Sequence, residues 1–386
     1  MIYFDNAATT FPKPQTILPA LRGAALVYGG NPGRSGHKVS LRAAEKVYEV
    51  RKKAADFFGA DVENTIFATN CTHALNMAIK GVMKGGGHVV TSCLEHNSVL
   101  RPLHKLQKDG LITYTVVDVL GEDMDILTNL EKAIRSDTRA IVITHASNVL
   151  GRVMPVAEIG RLCKRRGLKL VVDAAQSAGV LPINIRELGI NVLCMPGHKG
   201  LYGGSGTGLM LLNDIDPIDT LLEGGTGSVS NSLEQPEFNP DRYESGTLNT
   251  YGILTLGAGL DFVRRRGIEN LYRHEMSLCR YVWQQLRKIP GVTVYQESLE
   301  LGKSVPILLF NIDGMNSMET AKLLDDAGFC LRGGLHCAPL VHERLGTTEQ
   351  GAVRFSPGAF NQMPEAAAFV ANIKKIVKNR RNSLEF

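Results

Sequence analysis

The chain has 386 residues, too many for one ordinary hydrophobic core, so two domains are expected. Its 44% hydrophobic and 21% charged content is that of a globular protein, which excludes a disordered chain, and no apolar run reaches membrane-span length. The net charge of +5 is small for this size, and the basic runs at 164–166, 264–266 and 374–381 read as solvated helix faces, so neither nucleic acid nor membrane is expected as a partner.

The N-terminal MIYFDNAATT lacks the basic and apolar regions of a secretory leader, so a cytoplasmic protein is expected. The seven cysteines (71, 93, 163, 194, 279, 330 and 337) are odd in number and contain no C-x-x-C pair. That spacing argues against a zinc site or a disulfide framework, and no metal is expected.

Residues 1–40 read as an irregular arm rich in Gly, Pro, Asn and Ser, offering Arg34 and His37 as polar groups. A helix is predicted over Ser40–Phe58 from apolar residues at helical spacing, closed by Gly59. Strands and helices then alternate. Thr65–Thr69 is a strand, and Asn70-Cys-Thr-His-Ala-Leu-Asn76 opens a helix. Thr72 near that helix start suits a phosphate, although ordinary capping by Asn70 or Thr72 is the plainer account of the residue taken alone. His88–Ser92 is the next strand, and His96 follows it at a strand-to-helix junction. Leu111–Val119 (strand), Ile126–Arg135 (helix) and Ala140–Thr144 (strand) follow, the last ending in His145-Ala-Ser-Asn-Val-Leu-Gly151. A helix over Val156–Arg166 leads to the strand Gly167–Val172, which ends at Asp173. Thr72, His96, Asn148 and Asp173 thus recur at strand carboxyl ends, which right-handed crossovers bring to one crevice.

Two short apolar runs, Ile190–Met195 and Gly208–Leu212, flank a glycine-rich bend that holds Lys199. A partly desolvated amine there is a nucleophile toward a carbonyl; a solvated turn lysine is the plain alternative. Pyridoxal phosphate needs a lysine for its aldehyde and an acid for its ring nitrogen, and Lys199 and Asp173 are candidates for that pair. Residues 213–252 carry no clear periodicity and read as a long functional or interfacial loop. Helices over Leu254–Gly267 and Ile268–Ile289 lead into an α+β segment. It has strands at Val292–Tyr295, Val305–Ile312 and Ala352–Ser356, and helices at Ser317–Ala327 and Pro364–Asn379. The segment contains Leu331-Arg-Gly-Gly-Leu-His-Cys-Ala-Pro339, where Arg332 and His336 provide a cationic neighbourhood that favours a Cys337 thiolate. Arg354 sits on an apolar strand, where it needs either a structural carboxylate or the carboxylate of an amino-acid ligand.

In this order, DNAATT, NPGRSGH, NCTHALN, EHNS, SNVLG, VDAAQS, GHK, ESGTLNT, RGGLHCAP and VRFS resemble the class V aminotransferases, fold type I pyridoxal-phosphate enzymes. The resemblance is strongest to the cysteine desulfurase/selenocysteine lyase branch, and the short RGGLHCAP context is similar to its SUF-type (group II) members. It implies an α/β fold with a large, mostly parallel seven-stranded sheet domain and a smaller α+β domain. The corresponding division is an arm at 1–40, a cofactor domain at 41–252 and a cysteine-bearing domain at 253–386. It also implies the site roles. Lys199 would hold the aldehyde of pyridoxal 5'-phosphate, Asp173 the ring nitrogen and Gln176 the phenolic oxygen. His96 would stack on the ring, with Cys71 also at the cofactor. Thr72 and His198 would hold the phosphate, with Thr247 reaching a neighbouring subunit's site in a homodimer. Asn148, Arg354, Arg332 and Arg34 would bind the substrate, L-cysteine or L-selenocysteine, and Cys337 would take its sulfur for an acceptor protein. Pro196, His73, Leu335 and Gly33 depart from the family's usual residues. Readings kept beside the desulfurase are a selenocysteine lyase, an aminotransferase or epimerase that does not need Cys337, and a non-catalytic binding protein.

Overall fold

The computed structural model describes residues 1–33 and 36–384. In chain order, β1 (Ile2–Tyr3) precedes helices α1 (Ile17–Leu26) and α2 (Lys38–Phe58). Then β2 (Thr65–Ala68), α3 (Cys71–Val82), β3 (Gly87–Ser92), α4 (Asn97–Lys108) and β4 (Ile112–Val117) alternate. The alternation continues through α5 (Asp123–Ala133), β5 (Thr138–Thr144), α6 (Val156–Arg166) and β6 (Lys169–Asp173). Strands β7 (Val192–Pro196) and β8 (Gly208–Leu212) precede α7 (Thr250–Arg266) and α8 (Ile268–Leu286). The remainder runs β9 (Val292–Val294), β10 (Leu308–Ile312), α9 (Ser317–Asp326), β11 (Phe329–Cys330) and β12 (Arg332–Gly334). It closes with α10 (Pro339–Arg344), β13 (Ala352–Phe355) and α11 (Met363–Leu384).

These elements form two compact units. One comprises Lys13–His145 and Met154–Arg266; the other comprises Met1–Pro12, Ala146–Val153 and Gly267–Phe386. The sequence boundary drawn at 252/253 falls inside α7.

The first unit carries a seven-stranded sheet in the order β2-β8-β7-β6-β5-β3-β4. Only β8 runs against its neighbours, pairing antiparallel with both β7 and β2. This is the large, mostly parallel sheet that the resemblance implies. Central strands β7 and β8 are buried at every residue, which is why they read as unbroken apolar runs, whereas the edge strand β4 is partly exposed. Helix α3 packs on the sheet through Leu75 and Ile79, in one core with Val89, Val142, Val171 and Met210. Capping fixes where the helices begin. The Asn70 side chain accepts from the His73 amide at 2.8 Å, and the His96 ring caps α4. No helix or strand lies between Leu212 and Thr250.

The arm expected to be irregular over 1–40 instead contains β1 and the ten-residue helix α1. Two residues of strand leave no pattern to read. Helix α1 (ILPALRGAAL) contains Pro19 and Gly23 and is apolar on most sides, so it shows no helical period.

The second unit holds the antiparallel sheet β12-β13-β10-β9 and a parallel pair, β1 with β11. Phe4, just after β1, is fully buried among Phe329, Phe355 and Phe369, so the first residues of the chain are part of this unit's core. Among the described residues no helix is long and apolar enough to cross a membrane.

The bend between β7 and β8 is held in the first unit by contacts at which a side chain has no room. A Cβ on Gly259 of α7 would fall on the Leu201 carbonyl oxygen, and one on Gly200 would fall on the Ala178 carbonyl oxygen. Gly259→Ala would gain about 1 kcal/mol in helix propensity. Forcing backbone off backbone costs about 3 kcal/mol, the upper end of the overpacking range, because neither atom belongs to a side chain that could move. The expected outcome is a net loss of about 2 kcal/mol, read from the urea midpoint; an unchanged or raised midpoint would show that the bend is looser than described.

Candidate active site

In the first unit, polar groups converge where the parallel strands end. Asp173, 3% exposed, is the last residue of β6. Its Oδ1 accepts from the Ala175 amide at 2.9 Å and from the Cys71 thiol at 3.5 Å. Burial and the Asp173 charge both push the Cys71 thiol up, and the Lys199 charge acts the other way. Cys71 is thus a neutral donor that holds the carboxylate. Lys199 is half-buried in the bend after β7, and its carbonyl accepts from the Tyr202 amide at 2.8 Å.

His96 is half-buried and caps α4. Its Nδ1 accepts from the Ser98 amide at 3.1 Å, so in the neutral ring the proton is on Nε2. The Ser98 hydroxyl lies 2.9 Å from that Nδ1 and 2.7 Å from the Thr72 hydroxyl. Ser98 therefore links the helix starts of α3 and α4, a part the sequence reading did not single out although it ends the EHNS motif. Gln176 is buried in the turn after Asp173, and Thr247 is exposed in the long loop. His198 is pushed down to about 4 by burial, then by the charges of Lys199 and Lys13, so it is neutral near pH 7. It can hold an anion by donating a hydrogen bond but not by charge. Lys13, also missed, donates to the His198 carbonyl at 2.7 Å, and burial lowers it to about 8. Pro196 pairs with Gly208 at the end of β7, and the His73 ring nitrogen lies 3.2 Å from the Thr69 hydroxyl. Arg34 lies outside the described residues.

Glu95 was passed over as well. It is fully buried, and its Oε1 accepts from the Ser92 hydroxyl at 2.5 Å and the Thr144 amide at 3.0 Å. Its Oε2 has no partner among the described residues. Burial, with a smaller push from the Asp173 charge, raises this carboxyl to about 8, so at neutral pH it is mostly the uncharged acid.

The second unit carries the thiol. Cys337 follows β12 in a turn in which His336 and Cys337 both have left-handed backbones, φ 52° and 57°. The Arg332 guanidinium donates to the Cys337 sulfur at 3.6 Å. The expectation that His336 adds a second cation fails. Its ring is buried, and burial followed by the charge of Arg354 holds it far below the usual imidazole range, so it is neutral. Leu335, in contrast, is exposed. Arg354 of β13 is 1% exposed and lies directly across from Arg332 on β12. Its Nη2 donates to Asp5 at 2.8 Å and its Nη1 to the Asn148 carbonyl at 3.0 Å, while Nε is buried without a partner among the described residues. Asn148 in turn donates from Nδ2 to the His336 carbonyl at 2.8 Å. The structural alternative for Arg354, an internal ion pair, is therefore present, and Nε is the nitrogen it leaves unused.

A family model described as aminotransferase class-V matches residues 2–369. The chain belongs to that family. A probable cysteine desulfurase of Methanothermobacter thermautotrophicus is 33% identical, over 97% of this chain and 94% of the relative. One from Pyrococcus abyssi is 31% identical, over 99% and 96%. The solved apo structure of a cysteine desulfurase from Thermococcus onnurineus NA1 superposes with a TM-score of 0.90 at 32% identity, covering 98% of this chain and 95% of that one. The family works with pyridoxal 5'-phosphate, and the donor set of the first unit fits it. There is a fixed carboxylate for the ring nitrogen, an amine for the aldehyde, an imidazole, and a capped helix start with hydroxyls for the phosphate.

Glu95 yields a test that needs no cofactor. With a folded value of about 8 against about 4.3 unfolded, the folded protein keeps a proton that the unfolded chain loses between those pH values. Stability from this group is therefore present at low pH and falls as pH rises through the window. Glu95→Gln should remove up to about 1.4 kcal/mol per pH unit of that slope. Urea unfolding of the apoprotein from pH 5 to 8 would check this, and equal slopes in both proteins would refute it.

Proposed function

We propose that the protein is a cysteine desulfurase that takes sulfur from L-cysteine, leaves L-alanine, and receives the sulfur on Cys337. The observation that carries this reading is the state of the thiols. Among the seven, only Cys330 and Cys337 are not buried, and the Arg332 guanidinium donates to the Cys337 sulfur. Family membership and two curated relatives named as probable cysteine desulfurases support it.

When bound, pyridoxal phosphate supplies the electron sink that makes the substrate's Cα–H acidic and its Cβ–S bond breakable. The protein's own groups do the rest. The Lys199 amine takes the α-proton as general base. The sulfur of Cys337 attacks the substrate sulfur: an S–S bond forms, the Cβ–S bond breaks with its electron pair going to carbon, a proton completes the methyl group, and a proton returned to Cα gives alanine. A thiol reductant then releases the terminal sulfur as sulfide. Arg354, with Asn148, anchors the substrate carboxylate through its unpaired Nε–H. Arg332 serves the thiol.

A homodimer fits the surface of the first unit. Leu18 and Leu26 of α1, Leu41 and Tyr48 of α2, and Leu233 and Phe238 of the long loop are all exposed. Gly246 and Leu248, on either side of the exposed Thr247, line a groove with Pro32, Val47 and Tyr48. The second copy covers these groups, and Thr247 serves its phosphate site. A sulfur-acceptor protein is the downstream partner, and seven free thiols suit a reducing cytoplasm.

Incubation with L-cysteine and a reductant should give alanine and sulfide in equal amounts. Cys337→Ala should retain the cofactor spectrum and its change on adding L-cysteine, yet lose at least 100-fold in sulfide release. Selenide release from selenocysteine should fall less, because the carbon–selenium bond is weaker. Wild-type sulfide release by Cys337→Ala would exclude Cys337 as acceptor and favour the lyase-like reading, whereas wild-type protein that releases no sulfide would favour the aminotransferase-like one. Sedimentation should show a dimer at micromolar concentration; a fully active monomer would remove the shared-site assignment of Thr247.

A further inference from the structure

We infer that His342, together with Thr347, is a positioning residue for the Cys337 thiol, acting through a directed chain of hydrogen bonds that fixes the His336 ring. The inference rests on the reading of Cys337 as sulfur acceptor and concerns only groups of the second unit.

The rings of His336 and His342 lie nearly parallel, 15° apart with centroids at 5.6 Å, and both are buried. Both rings are kept neutral by burial, and their protons can then be assigned from one contact. His336 Nε2 is 3.2 Å from the Arg332 carbonyl, which can only accept, so Nε2 carries the proton. A neutral His336 then offers Nδ1 as an acceptor. His342 Nε2 lies 3.4 Å from it and must be the donor. His342 Nδ1 is left as an acceptor, and the Thr347 hydroxyl, 2.8 Å from it and 3.4 Å from the His342 carbonyl, donates to the nearer Nδ1. One set of neutral tautomers satisfies Thr347, both rings and the carbonyl in a single direction. A second proton on His336 would set two N–H groups against each other.

The chain ends at the two sides of the nucleophile turn. Arg332, whose carbonyl takes the last hydrogen bond, is the residue whose guanidinium reaches the Cys337 sulfur. His336 and Cys337 both hold left-handed backbones without being glycine, a state that persists only where the surroundings over-determine it. Among the described residues the backbone of the turn is fastened by Asn148 on the His336 carbonyl, the Ala338 amide on the Leu335 carbonyl, and the His336 ring on the Arg332 carbonyl. His342 controls the third from α10, and the Thr347 amide, 2.9 Å from the His342 carbonyl, closes that helix behind it.

His342→Phe and His342→Gln separate the hydrogen bond from the packing. Phenylalanine keeps a stacked ring without a donor, and glutamine restores an N–H near the place of Nε2. Two readouts on the holoenzyme are needed: steady-state sulfide release from L-cysteine, and iodoacetamide labelling of Cys337 without substrate, followed by peptide mass mapping. For His342→Phe the expected result is a kcat at least tenfold lower with KM within twofold, and labelling at least fivefold slower. His342→Gln should recover both to within threefold of wild type. The inference is overturned if His342→Phe matches wild type, or if His342→Gln falls as far as His342→Phe. Should His342→Phe fail to fold, Thr347→Val removes only the hydroxyl donor. It should lower kcat and slow labelling at least threefold, and no change would overturn the inference. Wild-type protein that releases no sulfide would defeat the desulfurase reading instead, and the labelling comparison would still decide the role of His342.

Discussion

The cofactor side of this protein depends on one close approach: the bend carrying Lys199 lies against two stretches of backbone with no side chain between. Gly200 rests on the Ala178–Gly179 carbonyl region, just after the loop that starts at Asp173, and Gly259 of α7 rests on Leu201. The strand order reinforces this. β8 returns antiparallel between β7 and β2, so both legs of the bend are pinned in the sheet by neighbours on each side. A lysine has a long, flexible stem, and its amine is placed reproducibly only if the Cα is. Contacts that tolerate no Cβ supply that placement, and they tie the lysine to the same turn that positions the aspartate.

The charge arrangement beneath that site follows from the same crowding. Asp173 and Glu95 are both buried, and the charge of Asp173 adds to the desolvation that keeps a proton on Glu95. Glu95 is nevertheless attached to Ser92 at the end of β3 and to the Thr144 amide at the end of β5. A neutral carboxyl can hold the two strand ends without adding a second negative charge, and the Thr144 hydroxyl and His145 amide complete the ladder to the Asp173 carbonyl. Cys71 plays a similar part from α3: a thiol that burial keeps protonated is a donor to the carboxylate, not a competing nucleophile.

Much of this was legible in the sequence, for identifiable reasons. Strands buried on both faces give unbroken apolar runs, so β6, β7 and β8 could be placed, and with them Asp173 and Lys199. Capping residues sit next to the helices they start, so Asn70 and His96 also marked their elements. What could not be read is what depends on contacts far apart in the chain. β1 is two residues long and acquires its meaning only from pairing with β11, more than three hundred positions later. Helix α1 lacked a period because several of its apolar residues stay exposed. The charge assigned to His336 was wrong because adjacency to a cysteine says nothing about burial. The ring turns inward, and its neighbour is His342, six residues on, not the thiol.

The two reactive side chains are thus held in place by opposite means. Lys199 is positioned mainly by what its neighbours lack, since glycines let the backbone come close, and the left-handed non-glycine residue of its bend is Tyr202 (φ 56°), three positions on. Cys337 is positioned by strain, in a left-handed turn that non-glycine residues avoid and that relaxes unless it is fastened. The difference suits the reach each role demands. An amine on a four-carbon stem needs a fixed base, whereas a thiol one carbon from the backbone takes its direction from the backbone itself. A turn of that kind needs fastenings that do not themselves ionise near neutral pH, and a pair of buried, neutral imidazoles meets that requirement.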